Sequence, residues 1–387
     1  MRKRKIAIFT GTRAEYGLLH WIIKGLNDAN DVDVMLMVGG MHLSPEFGNT
    51  INEIKRDGFK ISHSFEFLLS SETAEGISKS MGLALISASE FFERNRPDIL
   101  LVLGDRYESF AVSQAAMIAR IPIAHIHGGE ITEGLIDEAI RHSITKMSHF
   151  HYTATEEYRK RIIQLGENPK NIFNYGAPGI DNIKKLKLLN KKDLSQKFNI
   201  SFDAPYFMAT YHPVTLTEND GEKELANLIT ALDAYKDYQV IISYPNADTN
   251  SRVLIDILER YRDKNLERVH LFQSLGQLNY LSLLKHSKLV IGNSSSGIIE
   301  APSLKTPTVN IGDRQSGRIK GETVISCKSN VDSIKKAIKK GLSKSFDEKC
   351  KRSKNPYGTG EASKKIIKSL RSIKLENILI KKFHNLK

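Results

Sequence analysis

The chain has 387 residues, 40% of them hydrophobic and 26% charged, and its 57 basic against 44 acidic side chains give a net charge of +13. That length exceeds one typical core and predicts two domains of an ordinary globular enzyme. No apolar run is long enough to cross a bilayer, and the two cysteines, Cys327 and Cys350, are too few for a disulfide framework.

The elements follow in chain order. After the basic opening, "KIAIFT" is a strand and "GLLHWIIKGLND" carries apolar residues at helical spacing. The apolar stretch "IAIF" is too short for a signal peptide, so a cytoplasmic location is expected. "DVDVMLMVGG" is the next strand, "TAEGISKSMGLALISASEFFERNR" a helix and "PDILLVLGD" a buried strand. "ESFAVSQAAMIAR", "IPIAHIHGG", "LIDEAIRHSITKMS", "FHYTAT" and "EEYRKRIIQLG" continue the strand–helix alternation. The lysine-rich "GIDNIKKLKLLNKKDLSQKFN" reads as a connecting helix and linker. The alternation then restarts at "YFMATYHP" and runs through "YQVIISYPN", "RVHLFQS" and "KLVIGNSS" to "TPTVNIGD", and "GEASKKIIKSLRSI" is a closing amphipathic helix. Repeated strand–helix units with right-handed crossovers predict an α/β chain of two Rossmann-like, doubly wound parallel-sheet domains. The expected division is an N-terminal domain over 1–185, a second over 186–364, and a terminal helix over 365–387.

The positive charge reads either as a solvated lysine surface or as attraction for an anionic partner such as a phosphorylated substrate. The lysines concentrate in stretches such as "SIKKAIKKGLSKSFDEKCKRSK" without interleaved aromatics, so no nucleic-acid partner is expected.

Ligands of open parallel sheets bind beyond the carboxyl ends of the strands. In the first half those ends carry Arg13, Glu15, His42, Asp105, Arg106, His125, His127 and Glu130. In the second half they carry His212, Asn246, Asp248, the "GNSSSG" loop, Arg314 and Arg318. Loops furnished in this way on both halves favour a cleft between domains. Within "KLVIGNSSSGIIEAP", Ser294, Ser295 and Ser296 stand at a predicted helix start, a place suited to a phosphate or diphosphate, or else to N-capping. Glu300 would repel a phosphate and suits a ribose diol, while Arg314 can neutralise a diphosphate. The loop is neither a Walker loop nor a dinucleotide fingerprint, so ATP and NAD are not indicated.

A second cluster lies in "GGEITEGLIDEAIRHSITK". Asp137 and Arg141 are four apart, as are Glu138 and His142, so each pair shares a helix face. Arginine beside aspartate keeps the carboxylate ionised, which suits a base or an orienting group. A surface helix laced with ion pairs would look the same. His212 is either a capped loop histidine or a proton donor to a leaving phosphate. His125 and His127 have metal-like spacing on a buried strand, but metal binding is the weaker reading.

Together "TGTRAEYG", "GDRYE", "HIHGGE", "DEAIRHSITKMSH", "HPVT", "NSSSGIIEAP" and "GDRQSGR" resemble the hydrolysing UDP-N-acetylglucosamine 2-epimerase family of sialic acid pathways. The likeness runs from about residue 5 to "NPYGTGEAS" at 355–363. Ala14 follows Arg13, as in the hydrolysing branch, where non-hydrolysing relatives typically have proline. The resemblance implies a glycosyltransferase-B architecture whose last helix crosses back to the first domain, with UDP mainly on the second. It implies that Ser294, Ser295 and Arg314 hold diphosphate, Glu300 the ribose hydroxyls and Asn246 the nucleotide side. Arg13 and Arg106 would approach the diphosphate from the first domain, and His42 the N-acetyl sugar. The implied reaction eliminates UDP to a 2-acetamidoglucal, and water then gives free N-acetylmannosamine. Asp105, His127, Glu130 and Asp137 become candidates for base and hydration, Arg141 for orienting a carboxylate and His212 for assisting the leaving group. Some relatives, the animal enzyme among them, have glutamate at the position of His127, so no carboxylate role transfers there. The reaction needs no redox cofactor and no metal, and the family usually forms dimers or tetramers. Three other activities fit the same motifs: the same chemistry on UDP-2,4-diacetamido-2,4,6-trideoxyglucose for legionaminic acid, a glycosyltransferase, and a non-catalytic UDP-sugar sensor.

Overall fold

The computed structural model describes residues 2–69, 73–133, 135–213, 221–245 and 251–386. The chain divides into two compact units, one of Met1–Glu130, Asp137–Asn182 and Tyr357–Lys387, the other of Ile131–Ile136 and Ile183–Pro356.

Among the described residues the first unit holds seven strands: β1 (Arg4–Thr10), β2 (Val32–Gly39), β3 (Ile61–Phe65), β4 (Ile99–Leu103), β5 (Ile123–Ile126), β6 (Phe150–Thr153) and β7 (Ile172–Asn174). They are parallel and ordered β3-β2-β1-β4-β5-β6-β7. Alternate residues of β1 face opposite ways. Ile6 and Ile8 join a core with Leu19, Ile22 and Ile366, while Ala7 and Phe9 join another with Phe65, Phe92 and Val112. Both faces are apolar and helix-covered, which is why these strands read as continuous apolar runs. The order reverses between β1 and β4, so their carboxyl ends form the switch-point crevice.

The second unit repeats the plan with β8 (Tyr206–Thr210), β9 (Gln239–Ser243), β10 (Val269–Phe272), β11 (Leu289–Gly292), β12 (Thr308–Ile311) and β13 (Val324–Cys327). The order is β10-β9-β8-β11-β12-β13, again all parallel, with its reversal between β8 and β11. Phe207 and Ala209 face one core, and Tyr206 and Met208 the other.

Three strands absent from the sequence expectation, β3, β7 and β13, all lie on sheet edges. The lysine-rich tail is better ordered than its composition suggests: Val331–Gly341 is a helix that buries Ile334, Ala337 and Ile338 while its lysines face outward. The expected connecting helix is two helices, Pro178–Lys185 and Lys191–Phe198. The closing helix Ala362–Ser372 packs on the helix Arg13–Asn27 within the first unit. Its first amides donate to the buried Asp181 carboxylate at 3.0 and 2.7 Å, an N-terminal cap supplied from a distant helix.

Candidate active site

The carboxyl edge of the first sheet is a network of buried charges. After β1, Thr12 caps the helix Arg13–Asn27 in a capping box with Glu15, whose Oε2 accepts the Gly11 and Thr12 amides at 2.8 and 3.1 Å. Glu15 is buried, and desolvation with the nearby Glu108 charge pushes its carboxyl up to about 7. After β4, Arg106 forks onto the fully buried Glu108, Nε to Oε2 at 3.1 Å and Nη2 to Oε1 at 3.3 Å. Arg13 donates its Nε to Glu53 at 3.0 Å. In this structure both arginines expected at a diphosphate are therefore held by carboxylates of their own unit.

Asp105 is joined to Arg141, which reaches it from the helix Asp137–Met147. Arg141 is 1% exposed and also donates Nη1 to the His127 carbonyl at 2.9 Å. The sequence spacing pairs Arg141 with Asp137 on one helix; the structure sends its guanidinium across to the neighbouring strand end instead. Asp137 sits half-buried at the first turn of that helix. The second expected intrahelical pair is present, His142 Nε2 to Glu138 Oε1 at 3.0 Å.

His127 follows β5 with φ at 64°, the left-handed region that costs an L-residue about 1 kcal/mol. Its Nδ1 lies 2.5 Å from Glu130 Oε1, and both side chains are buried. Gly129 makes the return possible: its φ is 76°, and a Cβ there would lie 2.5 Å from the Tyr158 carbonyl oxygen. The neighbouring histidines are spent on structure. His125 has Nε2 on the Gly104 carbonyl at 2.7 Å and Nδ1 on Thr145 at 3.2 Å, and burial pushes it down to about 3. That engagement removes the metal-like spacing from consideration. His42 has its ring nitrogens on Thr10 and Thr50 at 3.0 and 2.8 Å, and burial pushes it down to about 4.

The second sheet's edge is built from amides and hydroxyls. The Asn293 side chain clamps the backbone of residue 212, its Oδ1 accepting the His212 amide at 2.7 Å and its Nδ2 donating to the His212 carbonyl at 2.8 Å. The Asn293 carbonyl accepts Gln315 Nε2 at 2.9 Å and Arg314 Nη1 at 3.3 Å. Gly292 before it has φ at 133°, and a Cβ would stand 1.9 Å from the Thr210 carbonyl oxygen, so only glycine fits between β8 and β11. Burial, then the Arg314 charge, hold His212 well below its ordinary range, so the ring is neutral at pH 7. A neutral imidazole donates a hydrogen bond to a leaving oxygen without bringing a charge.

The helix expected after the serines is one turn, Ser296–Ile299, followed by a 3₁₀ turn Ala301–Leu304. Glu300 is therefore its C-cap, and a long-helix dipole does not act there. The capping alternative fails too: Ser295 makes no side-chain cap bond, and Ser294 Oγ accepts only the Ser296 amide, at 3.4 Å. Asn246 lies outside the described residues. Sequence reasoning passed over Glu108, Asn293 and Gln315 and gave Glu15 no role. The Thr12-x-x-Glu15 capping box was the readable signal for Glu15.

Residues 24–371 match the family model described as UDP-N-acetylglucosamine 2-epimerase. The chain is 42% identical over 387 residues to the GDP/UDP-N,N'-diacetylbacillosamine 2-epimerase (hydrolyzing) of Campylobacter jejuni, covering 100% of both chains. It is 42% identical to the polysialic acid biosynthesis protein P7 of Escherichia coli, over 96% of this chain and 94% of that one. It is 36% identical to the UDP-N,N'-diacetylbacillosamine 2-epimerase (hydrolyzing) of Legionella pneumophila, over 98% of each. Among solved structures, the Neisseria meningitidis UDP-GlcNAc 2-epimerase bound to UDP-GlcNAc superposes with a TM-score of 0.80 at 22% identity, covering 95% of this chain and 99% of that one. The two-sheet architecture is thus the glycosyltransferase-B type. The chain belongs to the UDP-N-acetylglucosamine 2-epimerase family and is a hydrolysing nucleotide-sugar 2-epimerase.

Proposed function

We propose that this enzyme converts a UDP-activated 2-acetamido sugar into UDP and the free 2-epimer. The observation that carries the proposal is the division of chemistry between the two edges: a histidine–carboxylate pair beside an arginine-held carboxylate on one, uncapped serines beside Arg314 on the other. A base removes the C2 proton, the C2–H electron pair becomes the C1=C2 bond, and the C1–O bond breaks with its pair going to the diphosphate. Water then adds its hydroxyl to C1 of the 2-acetamidoglucal and a proton reaches C2 from the other face. Ser294, Ser295 and Arg314 hold the diphosphate, with Arg13 and Arg106 joining them by exchanging their carboxylate partners for phosphate oxygens. Glu300 takes the ribose hydroxyls, Asn246 the nucleotide side and His42 the N-acetyl sugar. Asp105, His127, Glu130 and Asp137 share proton transfer and hydration, Arg141 orients Asp105, and His212 assists the departing oxygen. No cofactor or metal enters this chemistry. A cytoplasmic homo-oligomer is the expected working form.

Two substrates share the mechanism. UDP-N,N'-diacetylbacillosamine, a 2,4-diacetamido-2,4,6-trideoxyglucose nucleotide, is the first, because the Campylobacter and Legionella relatives named for it align over 98% or more of this chain. UDP-N-acetylglucosamine, giving N-acetylmannosamine for sialic acid, is the second, favoured by the Escherichia coli polysialic acid relative. Side-by-side kinetics of UDP release decide between them. The expected kcat/KM is at least about tenfold higher on the diacetamido sugar, and the reverse ratio selects the second reading.

A further inference from the structure

We infer that His127 removes the C2 proton on its Nε2 while Glu130, a positioning residue, holds the opposite ring nitrogen. The inference rests on the epimerase reading above and assigns within it a base that the motifs leave open.

Three buried histidines stand at the carboxyl edge of the first sheet, and only their hydrogen bonding separates them. His125 and His42 use both ring nitrogens on threonines and a carbonyl. Among the described residues His127 makes one ring hydrogen bond, Nδ1 to Glu130 Oε1, and none through Nε2. An ionised carboxylate can only accept, so Nδ1 carries the proton toward Glu130, and in the neutral ring Nε2 is the nitrogen with the lone pair. The carboxylate candidates are more committed: Asp105 Oδ2 is taken by Arg141 and Glu130 Oε1 by His127.

The ring is also held from three directions. The His127 amide donates to the Tyr152 carbonyl at 3.1 Å, its carbonyl accepts Arg141 Nη1 at 2.9 Å, and Glu130 fixes the imidazole plane. A left-handed backbone at a non-glycine residue persists only where its surroundings impose it, and such residues cluster at reacting centres. The step balances without a further reagent. The Nε2 lone pair takes the C2 proton, the C2–H pair forms the C1=C2 bond, and the C1–O pair leaves with UDP. The imidazolium formed faces the Glu130 carboxylate, which stabilises the charge as it appears.

The test compares His127→Gly, which tolerates the left-handed backbone, and Glu130→Gln with wild type. His127→Gly is expected to lose kcat by ~10²–10⁴-fold while UDP affinity stays within about threefold, and added imidazole should restore part of the rate. Glu130→Gln should lower kcat by about tenfold or more with KM nearly unchanged. A kcat within about threefold of wild type in His127→Gly, a parallel loss of UDP binding, or no response to imidazole overturns the dyad. If His127→Gly fails to fold, His127→Gln carries the same comparison of kcat with UDP affinity. A wild-type enzyme that releases no UDP from either sugar nucleotide sinks the reaction itself, whereas an active wild type with unaffected variants sinks only the dyad.

Discussion

The two sheets share a strand order but not a chemistry. At the carboxyl edge of the first, ionisable groups are buried against one another: Glu15, Arg106 with Glu108, Asp105 with Arg141, His127 with Glu130. At the corresponding edge of the second, the tight contacts are made by Asn293 and Gln315, the hydroxyls are uncapped, and the histidine is neutral. Low dielectric makes paired charges strongly responsive to a proton, whereas amides and hydroxyls recognise an anion without changing state. On the proposed reading, one topology is furnished once for proton transfer and once for grip.

Substitutions should separate the two edges. Beside the His127 variants, the largest effect is expected from Asp137→Asn, which should reduce turnover by ~10³-fold and leave UDP affinity within about tenfold, or roughly 1.4 kcal/mol. Loss of UDP binding in that variant would blur the division. Arg141→Met strands Asp105 and the His127 carbonyl; urea denaturation should show a loss of ~3–5 kcal/mol, and a loss under about 1 kcal/mol would mean that the pair does not organise the edge. On the other sheet, Gly292→Ala should cost ~2–4 kcal/mol because its Cβ meets the Thr210 carbonyl. Glu15 gives a pH signature. Its folded carboxyl lies at about 7 against 4.5 for an ordinary glutamate, so the folded state binds the extra proton between those values and stability falls as pH rises through them. The fall should reach about 3 kcal/mol and vanish in Glu15→Gln; a stability profile identical in the variant would remove Glu15 as its source. The smallest change is expected from Ser294→Ala, about tenfold in UDP affinity with kcat nearly intact. A variant that lost kcat instead would place proton chemistry on the second edge.

The interior strands were legible because burial on both faces leaves continuous apolar runs such as "ILLVL" in β4. The edge strands "ISHSF", "IFN" and "VISC" were not, since a short half-exposed strand carries neither a run nor a clean alternation. The site shows the same boundary. His127 and Glu130 are three residues apart in one motif that marked both as candidates, but their pairing emerges only from the structure. Asp105 and Arg141 are 36 residues apart, and local spacing offered Arg141 a nearer partner that tertiary structure overrode. Glu108 is fully buried, with Gly11 so close across the switch point that a Cβ there would lie 3.4 Å from the Glu108 Cβ, an approach that no periodicity encodes.

Product analysis in D₂O tests the central claim most directly. The enzyme should convert its UDP-2-acetamido sugar into UDP and a free sugar inverted at C2, with deuterium at C2 in the NMR spectrum. A product still joined to UDP, or a free sugar retaining protium at C2, would contradict elimination and hydration by this pair of edges.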